Sequence, residues 1–181
     1  MTRHEIRICG FGGQGIALAG KILGSAVSFI EKKNSVTTQS YGPESRGGAS
    51  ASNVVISDDI VDFPYVTEPE IFICMSKEAY TKYIDSFKEG GLFLYEENLV
   101  PVDERMNKAS KIYKIPATEI ADELGQTKAT NMVMVGAYAG YTGLLSLESV
   151  LVAAKNIVKK KEFREINEKA IKRGIENVRN K

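Results

Sequence analysis

The scarcities of this chain narrow its chemistry before any motif does. Only two cysteines occur, Cys9 and Cys74, each inside an apolar run and without the spacing of a metal site or a disulfide framework. They are predicted to be buried, reduced thiols. Four thiolates for an iron–sulfur cluster cannot come from such a chain. The one histidine, His4, falls in the polar lead-in to the first apolar run, where an exposed terminus is expected rather than a catalytic base. No apolar run approaches the roughly 20 residues needed to cross a bilayer, and Met1–Glu5 is unlike a signal peptide, so a cytoplasmic protein with no membrane partner is expected. An excess of one charge is missing too. Lys plus Arg number 24 against 23 for Asp plus Glu, a net +1, which offers no field for a nucleic-acid backbone.

What is present is enough for one sizeable core. With 181 residues, 43% of them hydrophobic, and five prolines, a single domain spanning residues 1–181 is expected. Glu5–Cys9 alternates as a strand, a glycine cluster breaks it, and Ile16, Ala19, Leu23, Ala26, Val27 and Ile30 recur at helical spacing up to Lys32. Ser35–Ser40 and Ala49–Ile56 read as strands on either side of a loop punctuated by Gly42-Pro43 and Gly47-Gly48. The small residues Ser50, Ala51 and Ser52 imply that protein covers the start of that second strand closely, either from within the domain or, as suspected, from another subunit. Ile71–Met75, Leu92–Tyr95 and Lys111–Ile115 are further strands, with helices over Lys77–Lys88 and Ala117–Leu124. The last third changes character. Asn131–Leu145, Leu147–Lys159 and Lys161–Asn180 all read as helix, Ser146 being a natural cap for the second. Gly136 and Gly140 would let another backbone approach the first of these closely. The fold class predicted is α/β: a Rossmann-like three-layer α/β/α domain with a largely parallel or mixed sheet and a helical C-terminal third.

The principal chemical motif is Gly10-Phe11-Gly12-Gly13-Gln14-Gly15, a G-x-G-x-x-G turn directly after a strand and at the start of a helix. Such a turn brings main-chain N–H groups and a positive helix end to a diphosphate; its bland alternative is close packing of strand on helix. An NAD site would need an acidic residue at the end of the second strand, where Val36-Thr37-Thr38-Gln39-Ser40 stands instead. The second motif, Tyr41-Gly42-Pro43-Glu44-Ser45-Arg46-Gly47-Gly48, should open on the same sheet edge, with Arg46 supplying a planar cation for a phosphate or carboxylate. Lys21, on the second turn of the helix, could reach back toward the same anion or remain solvated. Asp58, Asp59 and Asp62 lack the spacing of a calcium loop and read as a solvated turn.

Together the two motifs, with Val66-Thr67-Glu68-Pro69-Glu70, Met75-Ser76 and Asn131-Met132-Val133, resemble the gamma subunits of 2-oxoacid:ferredoxin oxidoreductases over most of the chain, and most closely the 2-oxoglutarate-specific type. The resemblance implies oxidative decarboxylation of 2-oxoglutarate with coenzyme A, giving succinyl-CoA, CO2 and reduced ferredoxin. It implies alpha and beta partner subunits, optionally a delta subunit, with ferredoxin meeting the whole complex. Thiamine diphosphate, its magnesium and the iron–sulfur clusters would sit on those partners, leaving this chain catalytically inert alone. Its contribution would be the border of the coenzyme A site: Gly10, Phe11, Gly12, Gly13, Gln14 and Gly15, with Tyr41, Arg46, Gly47 and Gly48. Pyruvate, branched-chain and indolepyruvate versions stay open as alternatives, as do an assembly subunit with an architectural glycine turn and a free-standing nucleotide-dependent enzyme.

Overall fold

Strand β1 (Arg3–Phe11) alternates Ile6 and Ile8 toward one face with Arg7 and Cys9 toward the other, and it ends where the glycine turn begins. A computed structural model describes residues 2–41 and 48–179. Helix α1 (Ile16–Ser25) continues through one π-helical turn, Ala26–Ile30. Then follow β2 (Asn34–Tyr41), β3 (Ala49–Ser57), β4 (Ile71–Cys74), α2 (Lys77–Tyr83), β5 (Leu92–Glu96), β6 (Lys111–Ile115) and α3 (Ala117–Glu123). Three helices close the chain: α4 (Thr130–Thr142), α5 (Leu147–Ile157) and α6 (Lys161–Arg179). Ser146 caps α5 as expected, its hydroxyl accepting from the Ser149 N–H at 3.1 Å.

The six strands form one sheet in the order β2-β3-β1-β4-β5-β6. β1, β4, β5 and β6 are parallel, whereas β3 runs antiparallel to both of its neighbours, β1 and β2. The sheet is therefore mixed. Because β3 opposes both, β2 and β1 run the same way and deliver their carboxyl ends to one edge although they do not touch.

The two faces are built differently. Ile6, Ile8, Val54, Ile56, Ile73 and Leu94 face α1 and the C-terminal helices, an aliphatic sheet surface in the same cluster as the buried Tyr138 of α4. There α4 and α6 cross at backbone contact: a Cβ on Gly136 would lie 2.1 Å from the Ile171 carbonyl oxygen, and one on Gly174 2.1 Å from that of Val133. The opposite face carries Phe72, Phe93 and Tyr95 beneath Tyr80 of α2 and Phe87, with ring centroids 5.5–6.1 Å apart along the series. Arg7 is buried there among neutral acceptors. It donates to Asn53 Oδ1 at 2.8 Å, to the Val66 carbonyl at 2.7 Å and to the Ser86 hydroxyl, and burial lowers its pKa.

Three expectations need correction. His4 does not sit in a loose lead-in but within β1, paired with Ile56 of β3, its ring nitrogen bonded to Glu70. Antiparallel pairing with β3 extends the strand past its apolar stretch. The helix expected over residues 77–88 is shorter, since Ile84–Ser86 tightens into a 3-10 turn before Gly90 and Gly91 end the unit. The cover over Ser50, Ala51 and Ser52 comes from the chain itself: a Cβ on Gly20 of α1 would lie 1.9 Å from the Ser52 Oγ, and Ala51 packs into the aromatic cluster with Cys9.

Candidate functional site

At the carboxyl edge the chain must turn from β1 into α1 while leaving room between backbone segments, and the glycines meet that need. Gly15 caps α1 in the left-handed region, φ 74°, and any Cβ there would fall 2.3 Å from the Asn131 Nδ2. Asn131, buried at the start of α4, donates instead to the Gly15 carbonyl at 3.0 Å. Gln14 clamps the turn from within. Its Oε1 accepts from the Phe11 N–H at 2.9 Å and its Nε2 donates to the Met75 carbonyl at 2.9 Å. The Ala19 N–H is the first that α1 takes up itself, bonding the Gly15 carbonyl at 3.0 Å, so helix geometry leaves the N–H groups of Ile16, Ala17 and Leu18 at an open, positive end.

The described ends of the second motif, Tyr41 and Gly48, arrive at the same place. Tyr41 pairs with Ser50, Ser50 with Gly10, and the Gly12 N–H donates to the Gly48 carbonyl at 3.0 Å. Gly48 is thus brought against the glycine turn. Tyr41 is 65% exposed, its hydroxyl turned onto Gln39 Oε1. Arg46 and Gly47 lie outside the described residues. Lys21 is exposed on α1.

A cleft of about 470 Å³ opens on the other side of the turn. Phe11, Gly13 and Gln14 form one wall, and Leu99, Thr118 and Lys128 belong to the other. Phe11 and Leu99 are 37% and 40% exposed, so an apolar ligand surface would find an apolar wall. The far wall is held by Glu96, at the end of β5 and fully buried. Its carboxylate accepts from the N–H groups of Asn98 at 2.8 Å, Leu99 at 2.6 Å and Thr118 at 3.1 Å. Leu99, Thr118, Lys128 and Glu96 escaped the sequence reading, because they come from separate loops that only the sheet order brings beside the glycine turn.

The arrangement can hold an extended ligand with a phosphate at one end and an apolar body. Cys9 and Cys74 are in register on adjacent strands and fully buried, and burial with mutual contact raises the Cys9 pKa well above its ordinary value. Among the described residues no group of three or more His, Cys, Asp or Glu could hold a metal ion. Asp58 engages Thr2 and lies 3.7 Å from Lys33.

The family model for pyruvate ferredoxin/flavodoxin oxidoreductases matches residues 5–177, nearly the whole fold. The chain belongs to that oxidoreductase family. Within it, a Methanocaldococcus jannaschii protein named 2-oxoglutarate synthase subunit KorC is 50% identical over 159 residues, 87% of this chain and 85% of that one. A keto/oxoacid ferredoxin oxidoreductase gamma subunit from Geobacter sulfurreducens superposes with a TM-score of 0.84 at 34% identity, covering 99% of this chain and 98% of that chain. A 2-oxoglutarate:ferredoxin oxidoreductase from Magnetococcus marinus, with 2-oxoglutarate, coenzyme A and succinyl-CoA bound, shares the fold at TM-score 0.89 and 23% identity. This chain lies wholly within that match but spans only 32% of the Magnetococcus chain.

Proposed function

We propose that the chain is the gamma-type subunit of a 2-oxoglutarate:ferredoxin oxidoreductase, which converts 2-oxoglutarate, coenzyme A and oxidised ferredoxin to succinyl-CoA, CO2 and reduced ferredoxin. The observation that carries the substrate is the 50% identity to a 2-oxoglutarate synthase subunit over 85% of that relative's length. All 181 residues act as one unit, in a complex with alpha and beta subunits and, in a four-chain version, delta. Thiamine diphosphate, magnesium and the iron–sulfur clusters reside on those partners and supply the decarboxylation and electron transfer. Two buried cysteines suit a cytoplasmic, reducing setting but not cluster ligation.

In this reading the carboxyl edge borders coenzyme A. The open N–H groups at the start of α1 and the Arg46 guanidinium take a phosphate, while Phe11 and Gly13 flank the chain of the ligand. Tyr41, Gly47 and Gly48 shape the approach. A second reading also has an observation behind it. The Gly12 N–H and both ends of the Gln14 amide are engaged internally, as an architectural turn would have them.

Steady-state kinetics of the assembled enzyme separate the two. Losing a charge-assisted hydrogen bond costs about 1.5–3 kcal/mol, so Arg46→Ala should raise KM for coenzyme A roughly tenfold or more. KM for 2-oxoglutarate should stay unchanged. Normal coenzyme A kinetics together with a looser complex in size-exclusion chromatography would make the loop an assembly element.

A further inference from the structure

A second cleft, of about 400 Å³, lies between α5 and α6 and shares no lining residue with the one beside the glycine turn. Its apolar floor includes Leu151 and Val152 of α5. Asn167 of α6 also lines it. The residue is 9% exposed, and its amide, open to solvent at the cleft, makes no hydrogen bond to another described residue. At the rim stand Lys155, Lys161 and Arg164. Neither lysine forms an ion pair among the described residues, and Arg164 uses its Nε on the Val158 carbonyl at 2.7 Å, leaving the terminal nitrogens of its fork. Two carboxylates line the cleft as well, but each is engaged along α6, Glu165 by Lys169 at 2.8 Å and Glu168 by Lys172 at 2.6 Å. The charge left without a partner is positive.

We propose that this cleft docks an acidic, apolar segment of a companion subunit. Each element of the cleft selects part of that occupant. An asparagine amide offers one donor group and one acceptor, which a peptide backbone matches with its own C=O and N–H. Leu151 and Val152 take an apolar side chain, and the three rim cations take Asp or Glu. A simple inorganic anion would engage the rim and leave both the amide and the floor unmatched. The volume falls within the roughly 300–1,000 Å³ of binding clefts. The proposal rests on this chain being one subunit of a larger enzyme, and it adds where a neighbour holds on.

The test uses the chain co-expressed with its companion subunits. Lys155→Glu combined with Lys161→Glu should weaken association by about tenfold or more, read by sedimentation, and high salt should weaken the wild-type complex in the same direction. The isosteric Asn167→Asp, which sets a negative charge in the floor, should also weaken it, while Lys77→Glu on α2 should not. Circular dichroism checks that each variant folds. In amide hydrogen exchange, residues 151–168 should gain protection in the complex relative to the free chain. Wild-type affinity in the double variant, with unchanged exchange over that segment, overturns the proposal. So does a gain in thermal stability from inorganic phosphate that the double variant loses while assembling normally, since the occupant is then a small anion. If the wild-type chain joins no thiamine-binding subunit at all, the subunit reading itself falls, a result distinct from both.

Discussion

On one face of the sheet Ile6, Ile8, Ile73 and Leu94 meet a thick layer of helices sealed where Gly136 and Gly174 bring backbone against backbone. On the other, Phe72, Phe93 and Tyr95 lie under the short helix α2 and the segment carrying Val102 and Met106, and a buried arginine ties strand to loop. The first face depends on close backbone packing of its helices. The second depends on aromatic stacking together with polar groups that must be paired. The difference predicts different failures: the helical face should break on an added methyl group, and the aromatic face on a lost donor or a change in pH.

The largest effect is expected at the α4–α6 crossing. Gly136→Ala places its Cβ where the Ile171 carbonyl oxygen sits, and backbone cannot rotate away as a side chain can, so about 3 kcal/mol of stability should be lost. Urea unfolding reads this as a lower midpoint at unchanged slope. A loss no larger than an ordinary surface change would mean that the two helices slide apart freely. Next comes Arg7→Met on the aromatic face. It fills similar volume but leaves Asn53 Oδ1 and the Val66 carbonyl without their donor, and should cost about 2 kcal/mol by the same measurement. If Arg7→Met is neutral, water replaces the guanidinium and that face is wetter than its burial implies.

The smallest effect is the most diagnostic of the contrast, because it concerns titration. Burial pushes the Tyr80 phenol up to about 12, against an ordinary value of 10.0. Between these values the unfolded chain has lost the proton and the folded chain keeps it. Stability from Tyr80 is therefore complete below about pH 10 and declines as pH rises toward 12. Thermal melts across that range should fall less steeply in Tyr80→Phe than in the wild type. The phenol also donates to Asp103 Oδ1 at 2.8 Å. Asp103 is held well below the ordinary carboxylate range by Arg105 first and by Tyr80 second, so its contribution is complete above that range and declines progressively as pH falls through and below it. Burial also raises the phenol of Tyr138 on α4, so the Tyr80→Phe slope is read against a titrating background on the helical face.

Much of the fold was legible because the signals are local. Alternation in Glu5–Cys9, helical spacing from Ile16 onward and the Ser146 cap each depend on neighbours within a few residues, and β6 runs over the expected Lys111–Ile115. The glycine turn was legible for the same reason. His4 was misread because a polar residue reveals its strand only through the partner strand, here Ile56. The far wall of the cleft was illegible throughout. Glu96 looks like any exposed acid until three N–H groups from Asn98, Leu99 and Thr118 converge on it, and Lys128 carries no motif. Asn131 belonged to the family resemblance, but its grip on the Gly15 carbonyl spans 116 positions of sequence.

The sequence by itself therefore determined the kind of protein: an alternating α/β domain with a glycine turn at a helix start, too poor in cysteine to hold clusters, bearing the marks of a gamma-type oxidoreductase subunit. Only the tertiary structure decided that β3 inserts between β2 and β1, that the Gly12 N–H is taken by Gly48, and that Asn167 lines a cleft beside lysines without an ion pair among the described residues. The reason is physical. Periodicity and turn chemistry act over one or two helical turns, whereas strand order and side-chain pairing are settled by which long-range contacts together bury the most apolar surface while leaving the fewest polar groups unpaired.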